Sequence, residues 1–230
     1  MGVPLHSGDD SMNDRKRLVV EFLAVYLFWE VYSIVYPFLG RWSISWNGLL
    51  LELPGTSRDF VLSILLWTKS HPVLYTVMDA VYHFGFSGPM VVAFLYLLLR
   101  DPPECKILIK AYALSFLVLS IIFLTAHVNA PHHIYPDLPR KYSPPSWLAR
   151  PQFVFPSPHC TIATVSFLAL FMRREKSARF LSLFPFLVPP STVLLAEHWI
   201  WDTVAGIVLG AGIWFLLTKS VKISGSIRWW

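Results

Sequence analysis

An all-α membrane fold, a six-helix transmembrane bundle, is the class this sequence predicts, on three observations. Of its 230 residues 55% are hydrophobic and only 14% are charged, too few charges to clothe a soluble domain of that length. Several apolar runs reach the ~20 residues that a helix needs to cross ~30 Å of hydrocarbon. Between them stand short basic, polar or proline-bearing segments that read as turns. No internal repeat and no separate soluble domain interrupts the pattern, so residues 1–230 are expected to form one integral membrane domain.

Each element has its own justification. Residues 1–17 are a polar tail ending in Arg15-Lys16-Arg17, with no apolar core and small-residue cleavage site of a signal peptide. The first span is 18–39, closed by Pro37 and Gly40. Residues 41–70 mix tryptophans with Pro54, Gly55 and charges, and their apolar runs are too short to cross, which predicts an interfacial or lid segment. The second span, 72–99, is interrupted by Gly85 and Gly88-Pro89, where a kink is expected. Arg100-Asp101-Pro102-Pro103-Glu104 is a tight turn before the third span, 107–128.

Residues 129–156 carry seven of the eighteen prolines with His132, His133, Arg140, Lys141 and Arg150, too polar for lipid and too proline-rich for a helix. The fourth span, 157–172, stops at Arg173-Arg174-Glu175-Lys176. The fifth, 180–196, contains Pro185 and Pro189-Pro190, which should bend or break it, and 198–218 is the sixth. Tryptophans 42, 46, 147, 199, 201, 229 and 230 read as an interfacial belt.

Charge sets the orientation. The net charge of +5 reads as topology and not as a nucleic-acid footprint. With both termini cytoplasmic, the outer segments hold Arg41, Arg58, Lys69, Arg140, Lys141 and Arg150, and the other 13 of the 19 basic residues lie inside. Arg150, His159, His198 and Asp202 then all fall on the outer face, although nothing in the count was chosen to bring them together.

Those residues carry the chemistry. Ser157 is a natural N-cap and Pro158 suits the first helical turn, so the fourth span starts with free N–H groups that favour an anion such as phosphate. His159 stands within that anion's reach, and the Arg150 guanidinium can fork onto two of its oxygens. His198 and Asp202 are four residues apart and share a helix face. A carboxylate on one ring nitrogen fixes the tautomer and leaves the other nitrogen as a base or nucleophile. One oriented histidine to attack, a second to protonate a leaving oxygen, and cations around the anion suffice for phosphoryl transfer with no metal and no cofactor.

At this point the sequence resembles the type 2 phosphatidic acid phosphatase superfamily, whose signatures read K-x6-R-P, P-S-G-H and S-R-x5-H-x3-D. This chain has Arg150-Pro151, then Pro156-Ser157-Pro158-His159, then Ser191-Thr192 followed by His198 and Asp202 at the family's spacing. The resemblance covers roughly residues 72–218. It implies a phosphohistidine on His198 oriented by Asp202, His159 as the acid for the leaving group, and Arg150, Ser157 and Lys141 around the phosphate. Three departures stand out: eight residues separate Lys141 from Arg150, Pro158 replaces a glycine, and Thr192 replaces an arginine. Similar departures mark the branch with inositol phosphorylceramide and sphingomyelin synthases, which pass a phospho-headgroup to an alcohol.

Other ionisable residues have blander readings. His132-His133 with Asp137 lacks a further acidic or cysteine partner at a usual spacing, so no metal site is expected. Asp79 and His83, with Glu30, are intramembrane and suit structural hydrogen bonds between helices. The expected function is a membrane phosphoesterase acting on a lipid phosphate or diphosphate drawn from the bilayer. A phosphotransferase with an alcohol acceptor is the alternative, and a lipid or ion carrier relaying through Glu30, Asp79 and His83 is the second. Oligomeric state is not legible.

Overall fold

The computed structural model describes residues 8–139 and 154–223, which fold mostly into helices. The first, α1 (Gly8–Leu39), starts well before residue 18, inside the polar tail, where Arg17 pairs with Glu21 one turn on at 2.9 Å. It runs past Pro37 and ends in a 3-10 turn, Gly40–Trp42. Then come β1 (Ile44–Ser45), α2 (Asn47–Leu51) and α3 (Arg58–Lys69), whose N-cap, Ser57, accepts the Phe60 N–H. At 12 residues α3 is about 18 Å long, too short to cross.

The expected kink is a sharp break. α4 (Pro72–His83) and α5 (Ser87–Arg100) meet at 67° across residues 84–86. A Cβ on Gly85 would stand 2.8 Å from the Val81 carbonyl, and one on Gly88 2.6 Å from the Phe184 ring, so side chains there would collide with the turn or its neighbour. Asp101 caps α6 (Pro102–Thr125) through the Glu104 N–H, while its other oxygen takes Arg173 at 2.7 Å. That bond pins the turn to the end of the fourth apolar segment. After α6 comes β2 (Ala126–His127), parallel to β1 with Ile44 opposite Ala126, then α7 (Pro131–Ile134). Arg58 reaches across to Asp137 and Lys69 to the Pro139 carbonyl at 2.7 Å, so residues 44–69 are stapled over the loop that follows α7.

The remaining elements are α8 (Pro158–Phe171), α9 (Lys176–Leu181), α10 (Leu183–Leu194) and α11 (Ile200–Ile223). The expected fifth span changes shape. It breaks at Ser182, not at its prolines, and α10 continues through Pro189 and Pro190. An interior proline costs roughly 3 kcal/mol in an isolated helix. Here α10 is lodged against α4 and α8, and that packing holds it.

Among the described residues three helices are individually long and apolar enough to cross a bilayer: Met12–Tyr36, Pro102–Thr125 and Ile200–Lys219. The bent α4–α5 pair makes a fourth candidate if counted as one. At 14 and 12 residues, α8 and α10 fall short of the ~20 that a full crossing takes. The apolar residues on the outside suit lipid: Val20, Leu27 and Val208 are 58–65% exposed. Inside, Trp29, Met90, Tyr112, Phe116, Ile162 and Trp214 join α1, α5, α6, α8 and α11 in one core. A second cluster, with Leu50, Leu65, Val128, Leu138 and Trp199, lies under the cap made by α2, α3 and α7.

A close approach of two helices decides the rest. A Cβ on Gly206 of α11 would stand 2.6 Å from the Ser157 carbonyl, and one on Gly210 2.5 Å from that of Thr161. Glycines one turn apart let α11 lie backbone to backbone on α8. The first turns of these two helices meet because of it.

Candidate active site

At the start of α8, the Ser157 hydroxyl is fully buried and accepts the Cys160 N–H at 3.3 Å, as the N-cap reading expects. Its backbone N–H leaves α8 and donates to the Asp202 carbonyl of α11 at 3.0 Å. One hydrogen bond thus ties the two motif segments directly.

His198 lies in the turn before α11 and not on the helix, which starts at Ile200. This corrects the shared-helix-face expectation, yet its Nδ1 still meets Asp202 Oδ2 at 3.1 Å. Asp202 is wholly buried, and its other oxygen accepts the Thr203 N–H at 2.9 Å. With Nδ1 held, Nε2 is the nitrogen left to react.

The turn is built by α10. Thr192's carbonyl accepts the N–H groups of both Glu197 and His198, at 3.0 and 3.1 Å, and Ala196 N–H goes to Val193. Ala196 has φ +55°, the left-handed residue that this helix ending requires, although it is not glycine. The Thr192 hydroxyl contacts Thr203 Oγ1 at 3.0 Å and Cys160 Sγ at 3.7 Å. Where the family resemblance expects an arginine, this chain therefore uses a threonine that joins α8, α10 and α11.

His159 faces His198 with ring centroids 5.5 Å apart and planes at 66°. It is stacked on Tyr82 at 5.2 Å and edged by Phe86 at 5.5 Å. Its Nδ1 is enclosed and makes no hydrogen bond among the described residues. The two imidazoles are thus held differently, one by a carboxylate and one by aromatic packing. Thirty-eight residues of chain separate them, yet their rings are in contact.

Arg150 and Lys141 fall outside the described residues, as does much of the 129–156 loop. Among the described residues no three His, Cys, Asp or Glu side chains group as metal ligands. Sequence reasoning missed Tyr82, Phe86 and the Gly206–Gly210 pair. The glycine spacing was a legible signal for close helix packing, whereas nothing local marked Tyr82 or Phe86 as neighbours of His159.

Next to Tyr82 and Glu197 a half-open cleft lies between α3, α4, α7 and the α10–α11 turn. Tyr75, Asp79, Tyr82, His132 and Glu197 supply its polar lining, and His132 Nδ1 stands 3.7 Å from Glu197 Oε2. Asp79 belongs to this cleft wall, and Glu30 does not line it. At Tyr26, close to Glu30 on the same helix, the hydroxyl meets Ser87 Oγ of α5 at 3.0 Å.

Comparison with known proteins comes to the same place. Residues 57–216 match the family model of the PAP2 superfamily. An uncharacterized protein of Methanocaldococcus jannaschii is 27% identical over 189 residues, 79% of this chain and 76% of the relative. No solved structure matches.

Proposed function

The chain belongs to the PAP2 superfamily, and on that premise we propose that it is an integral membrane phosphoesterase acting on a lipid phosphate or diphosphate through a phosphohistidine. The observation that carries this reading is the imidazole pair: His198 with Nδ1 on a buried carboxylate, and His159 facing it at 5.5 Å. Few structural roles need a carboxylate-oriented histidine beside a second histidine at a membrane surface.

In the proposed reaction His198 Nε2 attacks phosphorus while Asp202 keeps the Nδ1 proton and stabilises the charge that develops on the ring. His159 gives a proton to the departing alcohol oxygen as the P–O bond breaks. Water then attacks the phosphohistidine, with His159 taking its proton, and inorganic phosphate leaves. Arg150 and Lys141, with Ser157 and the N–H groups at the start of α8, are assigned to the phosphate oxygens. The proposed frame has six crossings and both termini cytoplasmic, with α8 and α10 as its short members and the site on the extracytoplasmic or lumenal side. A lipid then enters from the bilayer with its phosphate at the surface.

A second reading, transfer to an alcohol instead of water, is favoured by the polar cleft next to the pair. The test is purified full-length protein in lipid nanodiscs, given a labelled diacyl lipid phosphate or isoprenoid diphosphate. Inorganic phosphate should be released, and an acid-labile, alkali-stable label should be trapped on the protein and vanish in His198→Ala. Turnover persisting in both His198→Ala and His159→Ala would end the proposal.

A further inference from the structure

His159 lacks what His198 has. Asp202 is held by His198 Nδ1 at 3.1 Å, whereas His159 Nδ1 is enclosed and has no hydrogen-bond partner among the described residues. To protonate a leaving oxygen through one ring nitrogen, an imidazole must first carry a proton on both. The Nδ1–H of His159 would then be buried without an acceptor. A buried charge without a partner is costly, and a carboxylate is the usual remedy. Here the neighbouring ring offers a different one. Tyr82 is stacked on the imidazole, with centroids 5.2 Å apart and planes 21° from parallel, so its negatively polarised face lies against it.

We propose that Tyr82 is the positioning residue of His159: its ring face holds the imidazolium by a cation–π contact, in place of a carboxylate. The inference rests on the phosphohistidine reading above, in which His159 is the acid. The separation falls within the ~6 Å over which such a contact acts, and in an enclosed setting it favours the charged ring by about 30-fold. Phe86 meets the same imidazole at 5.5 Å and 68°, which leaves Tyr82 as the stacked partner. The break at residues 84–86 separates these two rings, one in the last turns of α4 and one at the cap of α5. Trp29 of α1 and Phe116 of α6 back Phe86 at 5.9 and 6.0 Å, so the aromatic wall around His159 is fixed from several helices.

In the first step His198 Nε2 bonds to phosphorus, the P–O bond breaks, and the leaving oxygen takes the His159 proton, which discharges the ring. In the second, water attacks, the P–N bond breaks, and the water's proton passes to His159 and charges it again. Tyr82 therefore acts on the proton transfers and not on phosphate binding. Weaker stacking lowers the charged fraction but leaves a stronger acid. About half of the effect, on a logarithmic scale, then reaches the rate, which is about fivefold. A leaving group that departs without a proton is indifferent to it in the first step.

The experiment uses full-length protein in nanodiscs with Tyr82→Phe, then with mono-, di- and trifluorinated phenylalanine at the same position. Starting from phenylalanine removes the tyrosine hydroxyl's own contacts from the comparison, and the fluorines drain the ring face while nearly keeping its shape. Two donors carry the same long chain: an alkyl phosphate, and an aryl phosphate that releases a nitrophenolate. With the alkyl phosphate kcat should fall stepwise, by about fivefold at the trifluorinated ring, while KM stays within about twofold. The pre-steady-state burst of nitrophenolate, which reports the first step alone, should keep its rate along the series. Tyr82→Leu should lose at least as much on the alkyl phosphate, and if it does not fold the fluorinated series still decides. Phe167, stacked on Phe171, takes the same fluorines as a control and should keep alkyl phosphate turnover. A flat series, or an equal fall with both donors, overturns the proposal, because packing alone would then account for the ring. A label trapped on His198 together with a flat series sinks the Tyr82 assignment alone. A falling series in a protein that never traps a label keeps that assignment and sinks the phosphohistidine reading.

Discussion

Replacing Gly206 by alanine tests how the site is assembled. The new Cβ would stand 2.6 Å from the Ser157 carbonyl and 3.0 Å from Cys160 Cβ. Backbone lies on one side and a helix axis on the other, so no flexible side chain can yield. Reaching an ordinary carbon–oxygen contact of about 3.3 Å requires α8 and α11 to part by about 0.7 Å. The Ser157 N–H to Asp202 carbonyl bond, now 3.0 Å, would stretch towards the edge of hydrogen bonding. A shift of that size between His159 and His198 should lower kcat by roughly 10- to 100-fold, since a misplacement of about 1 Å can cost about 10². Overpacking alone should cost about 1–3 kcal/mol of stability. The assay is lipid phosphate turnover in nanodiscs, read beside thermal unfolding in the same preparation. Gly212→Ala on the same helix is the control, because nothing lies within 4 Å of its added Cβ. If Gly206→Ala keeps turnover and melting within the range of Gly212→Ala, the close α8–α11 contact does not set the site, and the argument fails.

Other outcomes follow from single contacts. Asp202→Asn should leave lipid binding nearly intact but reduce kcat by about 10³–10⁴, because an amide at 3.1 Å no longer fixes the His198 tautomer or its positive charge. Ala196→Gly should stabilise the protein by about 0.5–1 kcal/mol in chemical unfolding, since φ +55° strains any residue with a Cβ, less the entropy glycine costs. Turnover should survive EDTA, since no step is assigned to a metal; loss in chelator with rescue by a divalent ion would count against the mechanism.

Local chemistry decided a good deal. The scarcity of charge and the length of the apolar runs announced a helical chain with membrane-crossing segments. Ser157-Pro158 marked a helix start, and Gly85 with Gly88-Pro89 marked a break, because caps and kinks depend on residues within one turn of each other. The His198–Asp202 contact was legible for the same reason, being four residues long. Pro189-Pro190 misled in the same local terms, because what keeps α10 intact is its bed between α4 and α8.

Tertiary structure alone decided that His159 faces His198 across 38 intervening positions, with Tyr82 and Phe86 enclosing the first ring. It alone made Thr192 the joint of three helices, and it gathered Asp79, His132 and Glu197 around one cleft. The physical reason is steric. Where two helices touch depends on which of their surfaces lacks a Cβ, and Gly206 and Gly210 place that contact at the first turns of α8 and α11. If the imidazole rings of residues 159 and 198 stayed in contact after methyl groups had been forced into that seam, the assembly principle would lie elsewhere.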